Sequence, residues 1–390
     1  MTSWTPHVAL IGGGMIAHDQ ILPSLYQLQR QRRIGIIDVC ARRPETLDAL
    51  AANAQIQRAF PGHAFRPHAG RYQDLLAQLP PRQVVILALP DQIHFPVVMD
   101  SLAAHQHVIC VKPLVQRAAD SVTIEQTARQ RGLFVGVEYH KRLDDRSLMA
   151  RLRYRQGQFG EFKLGHACLH EKWYYRHSNF QNWFDKDSSD AFTYVGCHYV
   201  DLVHFITGLR PTGVSVYGIP DRFPNGVEGY LWADARVTWE NGACLNVQNS
   251  LSYPQHGGGP NLQGLTMFCT GAGEGAMIRH SDQYRGLEYT TVDGYSEPSP
   301  DYFQYVDLGG PGLSVVGYGF RSLDHLLRAA ERVEHASDRT AELRAIDEEA
   351  LLATPANSRF NELVVEAARL SLQHDGRTVA IDYAMNSVRP

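Results

Sequence analysis

Val8-Ala9-Leu10-Ile11-Gly12-Gly13-Gly14-Met15-Ile16-Ala17 is the stretch that decides the fold. Four apolar residues in a row make a buried strand, too short for a helix. Three glycines follow, and then a segment that opens a helix. The spacing Gly12-x-Gly14-x-x-Ala17 is the G-x-G-x-x-A pattern of a dinucleotide phosphate site. Gly12 allows the tight turn out of the strand. Gly14 lets the backbone approach a pyrophosphate without a Cβ in the way, and Ala17 lets the helix pack on the strand. The helix start at Met15 and Ile16 adds unpaired N–H groups and a positive dipole end. Gly12, Gly14, Met15 and Ile16 are therefore candidate cofactor contacts. A purely structural glycine turn is the alternative.

Outward from the loop, strands alternate with helices. Residues 15–32 read as a helix with Ile21, Leu25 and Leu28 on one side. Residues 34–41 read as a second buried strand, and Pro44 opens the next helix. An acidic residue about 20 residues past the loop normally holds the ribose 2′-hydroxyl of NAD. That place is Ala41-Arg42-Arg43, while Asp38 lies earlier, inside the strand. Two arginines without the acid favour a 2′-phosphate, so NADP is expected over NAD, with Arg42 and Arg43 as its contacts. The alternative is a pair of solvated arginines at a helix start. Further apolar strands run over 84–89, 108–111 and 134–137, with helices over 94–104 and 118–131. This alternation implies a parallel sheet covered on both faces, with ligands beyond the strands' carboxyl ends. Leu89-Pro90, Lys112-Pro113 and Glu138-Tyr139-His140 fall at those ends.

Past residue 137 the pattern changes. Aromatics become dense at Trp173, Tyr174, Tyr175, Phe180, Trp183 and Phe184, and a strong helix spans 191–207. Long strands then cover 213–218, 230–239, 243–252 and 266–270, with Asn241-Gly242 as a hairpin turn. Helices return at 320–336 and 357–373, the second capped by Gly376, before a last strand at 378–382. The expected fold class is α/β: a Rossmann-type, doubly wound parallel domain over residues 1–137, then an α+β domain over 138–390. The second domain carries a large, mostly antiparallel open sheet, and covering that sheet implies a homodimer or homotetramer.

Composition narrows the function. With 44% hydrophobic and 20% charged residues among 390, the chain is an ordinary globular protein. A net charge of −4 gives no footprint for nucleic acid. No run of ~18 apolar residues offers a membrane span. Met1-Thr2-Ser3-Trp4-Thr5-Pro6 runs straight into the first strand without an apolar leader. The six cysteines are scattered and form no C-x-x-C. They read as reduced core thiols of a cytoplasmic protein.

These motifs, in this order, resemble the glucose–fructose oxidoreductase/inositol dehydrogenase/MocA (Gfo/Idh/MocA) family over nearly the whole chain. The glycine loop matches at Gly12, Gly14 and Ala17. The family's strand ending in Pro with a His four residues on is similar to Leu89-Pro90-x-x-x-His94. Its Glu-Lys-Pro is similar to Val111-Lys112-Pro113, and its D-x-G-x-H to Tyr194-Val195-Gly196-Cys197-His198. Lys141-Arg142-Leu143-Asp144 is similar to an Arg-Arg-Tyr-Asp stretch of inositol dehydrogenases. The resemblance implies NAD(P)-dependent oxidation of a hydroxyl-bearing carbon on a sugar or cyclitol. It adds Leu89, Pro90, His94 and Lys112 as cofactor contacts, and Lys112, Tyr139, Lys141, Trp173 and His198 as substrate contacts. The chain departs from the pattern where Val111 replaces Glu and Tyr194 replaces Asp.

Dehydrogenation needs a group to take the hydroxyl proton and a donor to hold the oxygen as it becomes a carbonyl. Lys112, at a strand end before a Pro, suits the second role. On the 191–207 helix, Val195, Tyr199, Leu202, Val203 and Ile206 form an apolar stripe. Asp190, Tyr194, His198, Asp201 and Phe205 form another, turned by about 100°. That second stripe is either a packed polar network or a cleft face, and the matched His198 favours the cleft. Lys112, His198, Tyr194 and Asp190 are the catalytic candidates, with Asp190 open to a plain N-capping role. The Trp173–Trp183 segment, with Arg176, His177 and Asn182, is either a sugar platform or core. His166, His170 and Glu171 lack a third ligand partner, so no metal is expected. Two rivals share the fold: a non-catalytic dinucleotide sensor, and an enzyme with tightly bound NAD doing net non-redox sugar chemistry.

Overall fold

The computed structural model describes residues 4–281, 287–292, 294–299 and 301–390. Contacts gather into two compact units, neither continuous in sequence. The first holds Met1–Val115, Asp120–Leu143 and Asp301–Asn357; the second holds Gln116–Ala119, Asp144–Pro300 and Ser358–Pro390. A single division after residue 137 is thereby corrected, because the 301–357 stretch packs with the first unit. The physical reason lies in the helix Tyr318–His335. Leu323, Leu326, Leu327, Ala330 and Val333 share one face, and that face joins the core of Val8, Leu10, Val39 and Ile86.

The first unit begins with β1 (Val8–Ile11), β2 (Ile37–Ala41), β3 (Arg66–Ala69), β4 (Val84–Leu87), β5 (His107–Val111) and β6 (Val135–Glu138). They form one parallel sheet in the order β3-β2-β1-β4-β5-β6. A one-turn π-helix, Ala17–Ile21, leads into α1 (Leu22–Arg30). Then come α2 (Pro44–Ala51), α3 (Ala54–Ala59), α4 (Tyr72–Leu76), α5 (His94–Ala103) and α6 (Ala118–Arg131). β1 and β4 are buried at every residue, as two-sided coverage of a parallel sheet requires. β3 reads Arg66-Pro67-His68-Ala69 and carries no apolar pattern. It is an edge strand, where a proline is tolerated. The strand order reverses at β1, which puts the topological switch point at the glycine loop.

The second unit carries α7 (Asp145–Arg155), β7 (Phe162–Lys172), α8 (Cys197–Thr207), β8 (Pro211–Arg222), β9 (Glu228–Trp239), β10 (Cys244–Tyr253), β11 (Asn261–Cys269) and β12 (Ala276–Ser281). Two short hairpins follow, β13 (Tyr289–Thr291) with β14 (Gly294–Ser296), and, in the first unit, β15 (Gln304–Val306) with β16 (Ser314–Val316). α9 (Tyr318–His335) and α10 (Arg339–Glu349) complete the first unit; α11 (Arg359–Gln373), β17 (Val379–Asp382) and β18 (Ser387–Arg389) complete the second. The large sheet runs β12-β11-β7-β10-β9-β8-β17-β18. Only the β7–β10 pair is parallel among its described pairings. Asn241-Gly242 turns β9 into β10: Gly242 has φ +79° and its N–H donates to Trp239 O at 2.8 Å. Along β9, Leu231, Ala233, Ala235 and Val237 face inward, in the period of two expected of a half-buried strand. The outer sheet face leaves Leu164, Tyr217, Phe268 and Met277 exposed. Among the described residues no helix is long and apolar enough to cross a membrane.

Candidate functional site

The glycine loop leaves β1 with Gly12 N–H donating to Cys40 O at 2.9 Å. Gly12 has φ +113°, and a Cβ there would collide with the carbonyl oxygen of Ala88. Only glycine fits. At Gly13 a Cβ would stand 2.7 Å from the Thr46 methyl. Gly14 is the contrast: nothing lies within 4 Å of its Cβ position. Ala17 N–H donates to Gly14 O at 3.0 Å and closes the first turn. The N–H groups of Gly14, Met15 and Ile16 precede that turn and have no helical carbonyl to bond. An open space over bare backbone at a helix start is the donor set that a pyrophosphate requires, so these residues fit a dinucleotide.

Parallel strands bring the other loops to the same sheet edge. Arg42 and Arg43 follow β2 directly, are exposed, and make no ion pair among the described residues. Asp38 is fully buried and bound by Arg66 at 2.7 and 2.8 Å and by His68 at 2.9 Å. It is committed away from any ribose. Leu89 and Pro90, both half-buried, end the β4 loop. His94 is fully buried. Its Nε2 lies 2.9 Å from Leu89 O, and its Nδ1 lies 2.9 Å from Pro113 O and 3.2 Å from Leu114 O. Expected as a cofactor contact, His94 is instead a brace that ties the β4 loop to the residues after Lys112. Lys112 itself is half-buried, directly after β5. β5 lies two strands from β1, roughly 10 Å along the sheet edge.

The β6 end holds a cluster that sequence reasoning missed. Gln20, fully buried beside the glycine loop, donates to Glu138 at 2.9 Å and to Gly319 O at 3.1 Å. Tyr302 OH donates to Gln20 at 2.7 Å. The second Glu138 oxygen meets His140 Nδ1 at 3.0 Å, and the His140 ring stacks on Tyr318. Tyr139 and Lys141, expected to touch substrate, are both buried in this region, with the Lys141 ammonium 5.9 Å from the Tyr318 ring centre. A signal existed in Gln20, a polar residue among Ala17, Ile21 and Leu25. Its partners Tyr302 and Gly319 lie about three hundred residues away and could not be read from local pattern.

In the second unit, all residues of α8 except His204 and Thr207 are buried, so the apolar stripe is core as expected and the second stripe is interior along α8, with Tyr194 half-buried before it. A π turn at Phe192–Gly196 also breaks the 3.6-residue period between Asp190 and His198. His198 is 6% exposed. Asp201 accepts from Asn361 at 2.8 Å and anchors α11. Asp190 accepts from Thr193 N–H at 2.9 Å and from Thr193 Oγ1 at 2.6 Å, the pattern of an N-cap. Burial pushes the Asp190 carboxyl above its ordinary range against those bonds.

The aromatic segment is divided: Phe180 and Phe184 are buried, Tyr175 and Trp183 half-buried, and Trp173 and Tyr174 exposed. The Tyr194 ring packs edge-on to Phe180 at 4.7 Å and lies beside Trp183 and Phe184. Trp173 is 42% exposed, and the buried Arg176 guanidinium lies 4.0 Å from its ring centre. Arg176 is bound to Asp221 at 2.6 Å and Leu251 O at 2.7 Å, so it is a structural charge rather than a sugar contact. His170 meets Ser250 at 2.7 Å. Among the described residues no group of three His, Cys, Asp or Glu is arranged for a metal. All six cysteines are free thiols, and burial pushes Cys40 and Cys269 up to about 11.

Comparison with known proteins agrees with this geometry. Residues 7–139 match the model of an oxidoreductase family with an NAD-binding Rossmann fold, GFO_IDH_MocA, and residues 148–272 match a GFO/IDH/MocA C-terminal domain. The uncharacterized oxidoreductase YfiI of Bacillus subtilis is 30% identical over 168 residues, 40% of this chain and 39% of that protein. The scyllo-inositol 2-dehydrogenase (NADP(+)) IolW of Bacillus subtilis is 22% identical over 132 residues, 33% of this chain and 36% of that protein. The chain thus spans about two fifths or less of the length of these relatives. The structure of scyllo-inositol dehydrogenase from Lactobacillus casei, with bound NAD(H) and scyllo-inositol, is 14% identical. It covers 97% of this chain and 99% of that one at a TM-score of 0.67, a likeness of fold.

Proposed function

The chain belongs to the Gfo/Idh/MocA family of oxidoreductases, and on that premise we propose that it oxidises a secondary alcohol of a sugar or cyclitol with NADP in preference to NAD. One observation carries the reading. The open cradle at Gly14 and the braced Lys112 share one sheet edge, two strands apart. A nicotinamide cofactor, when bound, supplies the hydride acceptor. Gly12, Gly14, Met15 and Ile16 hold its pyrophosphate, and Leu89 and Pro90 border its path. Arg42 and Arg43 hold a 2′-phosphate through charge-assisted bonds. The NADP(+) in the name of IolW supports that preference, and the inositol in the names of IolW and of the Lactobacillus casei enzyme supports a cyclitol.

Lys112 steadies the substrate oxygen with its ammonium donors, a role open to a cation that accepts no hydrogen bonds. His198 takes the hydroxyl proton, which an imidazole does near neutral pH with little tuning. Tyr194 stands one turn before it and steers by hydrogen bonding, without the charge that the family's Asp would add. Asp190 is a positioning residue that caps the turn carrying both. The exposed Trp173 completes the substrate side. The first unit serves the dinucleotide, and the second serves substrate and self-association, with the apolar outer sheet face driving a homodimer or homotetramer. The test is a panel of cyclitols and sugars with each cofactor. Cofactor reduction that disappears in Lys112→Ala and His198→Ala supports the reading; tight cofactor binding with no turnover on the whole panel favours the sensor.

A further inference from the structure

A second polar site lies at the other end of the same sheet. Asp38 sits near the amino end of β2, in register with Ala9 of β1 and Arg66 of β3. A fully buried carboxylate on a sheet face is costly unless it is paired. Arg66 meets it through Nε and Nη2, and His68 through Nε2. Burial pushes the Asp38 carboxyl up, and these bonds outweigh it and hold the group below its ordinary range. A hollow of about 470 Å³ opens beside this pair. It is lined by Asp38, Arg66, His68 and His7 and walled by Leu75 and Leu79, among others. That volume is the size of a small-molecule site.

The chemistry of the lining selects a ligand. The two Asp38 oxygens already accept from Arg66 and His68, so only two imidazoles remain for a metal, too few for a stable site. His7 is fixed by its backbone, with N–H donating to Gln83 at 2.7 Å, and its Nδ1 is buried without a hydrogen-bond partner. Arg66 spends Nε and Nη2 on Asp38, which fixes the planar guanidinium and leaves the Nη1 N–H groups over, on a side chain that is 57% exposed. A guanidinium edge so preorganised is the usual partner of a carboxylate. Among the lining residues Arg66 and Asp38 pair with each other, so their charges balance and set up no strong field against an anion.

We propose that this hollow is a second binding site, for a small carboxylate with an apolar body. The Nη1 edge of Arg66 takes the carboxylate, His7 and His68 flank it, and Leu75, Leu79, Pro67 and Pro80 cover the apolar part. Four residues of extended strand separate Asp38 from Arg42, about 13 Å. Ligand here therefore leaves the glycine loop open.

Benzoate is the probe, benzyl alcohol its uncharged control, and methyl and imidazole NMR shifts with calorimetry the readout. The expected result is saturable binding of benzoate that shifts Leu75, Leu79, His7 and His68, and no such binding of benzyl alcohol. Gln78→Glu, an exposed change on the rim, weakens binding by about fivefold through like charge. Leu79→Glu weakens it further, and NADPH affinity is the same with and without benzoate. Three results overturn the proposal: no saturable binding, equal binding of benzyl alcohol, or competition between benzoate and NADPH. Unchanged benzoate affinity in folded Gln78→Glu and Leu79→Glu also overturns it.

Discussion

The backbone of Gly12 is packed against Ala88 so closely that the carbonyl oxygen of Ala88 occupies the place of a Gly12 side chain. Two neighbouring strands, β1 and β4, are thereby locked at the loop. Gly14, two residues on, faces open space. The two glycines separate stability from binding. Gly12→Ala is expected to cost at least about 1–3 kcal/mol by forcing a strained backbone apart, read as a lowered Tm. Gly14→Val is expected to fold with a near-normal Tm and lose NADPH binding, measured by cofactor fluorescence. Normal affinity in Gly14→Val would remove the pyrophosphate from this loop.

The proposed preference for NADP rests on Arg42 and Arg43. On that reading, removing either guanidinium takes a charge-assisted phosphate bond worth about 1.5–3 kcal/mol. Arg42→Ala and Arg43→Ala are therefore expected to weaken NADP by about tenfold or more and to leave NAD within about twofold. Parallel titrations with both cofactors check this. Equal losses for NADP and NAD would make the pair a solvated helix start.

His94 offers a test of the brace. His94→Phe fills the space and removes the ring partner of the half-buried Leu89 and the buried Pro113 carbonyls, at a cost of about 1–3 kcal/mol. Lower Tm together with reduced kcat is expected, because Lys112 loses its anchored neighbour. A variant with parental Tm and parental kcat would show that the brace has no role in placing Lys112.

Stability against pH has a defined sign at His107. Phe134 N–H donates to His107 Nδ1 at 2.9 Å, and Nε2 meets Glu334 at 2.7 Å, so the buried ring is neutral with Nε2 protonated. Burial lowers its pKa, against the opposing pull of Glu334. For Glu334, burial pushes up and the bonds from His107 and Arg82 bring it down to about 2. Both groups are depressed in the folded chain. The unfolded chain therefore takes up protons first as pH falls, at His107 below about 6.5 and at Glu334 below about 4.3. Stability is full above those values and is lost on acidification. His107→Gln keeps a donor and an acceptor in place and should remove on the order of 1 kcal/mol per pH unit from the slope between about pH 6.5 and 5. Urea titrations at stepped pH would show it; identical slopes in both proteins would contradict it.

Much of this was readable because the parallel sheet writes itself as short apolar runs. Val8–Ile11 and Val84–Leu87 needed no context, and the loops after them followed from the alternation. What could not be read depends on distance or on geometry finer than a period. β3 is a polar edge strand with no apolar signal. The π turns at Ala17–Ile21 and Phe192–Gly196 leave no mark in the residue pattern, and the second one spoiled the wheel that placed His198 on a cleft face. Two partners of Gln20, Tyr302 and Gly319, arrive from a segment that interrupts the second unit in sequence. Tyr139 and Lys141 looked available at a strand end, yet the 3₁₀ turn His140–Leu143 folds the segment inward and buries them.

Hydride removal from an alcohol, with Lys112 and His198 acting as proposed, can be measured in one assay. The most direct measurement follows reduced-cofactor absorbance during incubation with NADP and scyllo-inositol, myo-inositol and a set of hexoses, in the parent, Lys112→Ala and His198→Ala. At least one cyclitol or sugar should yield reduced cofactor in the parent. Each variant should bind cofactor and lose about 100-fold or more in kcat. Turnover in folded His198→Ala or Lys112→Ala equal to the parent's would contradict the account.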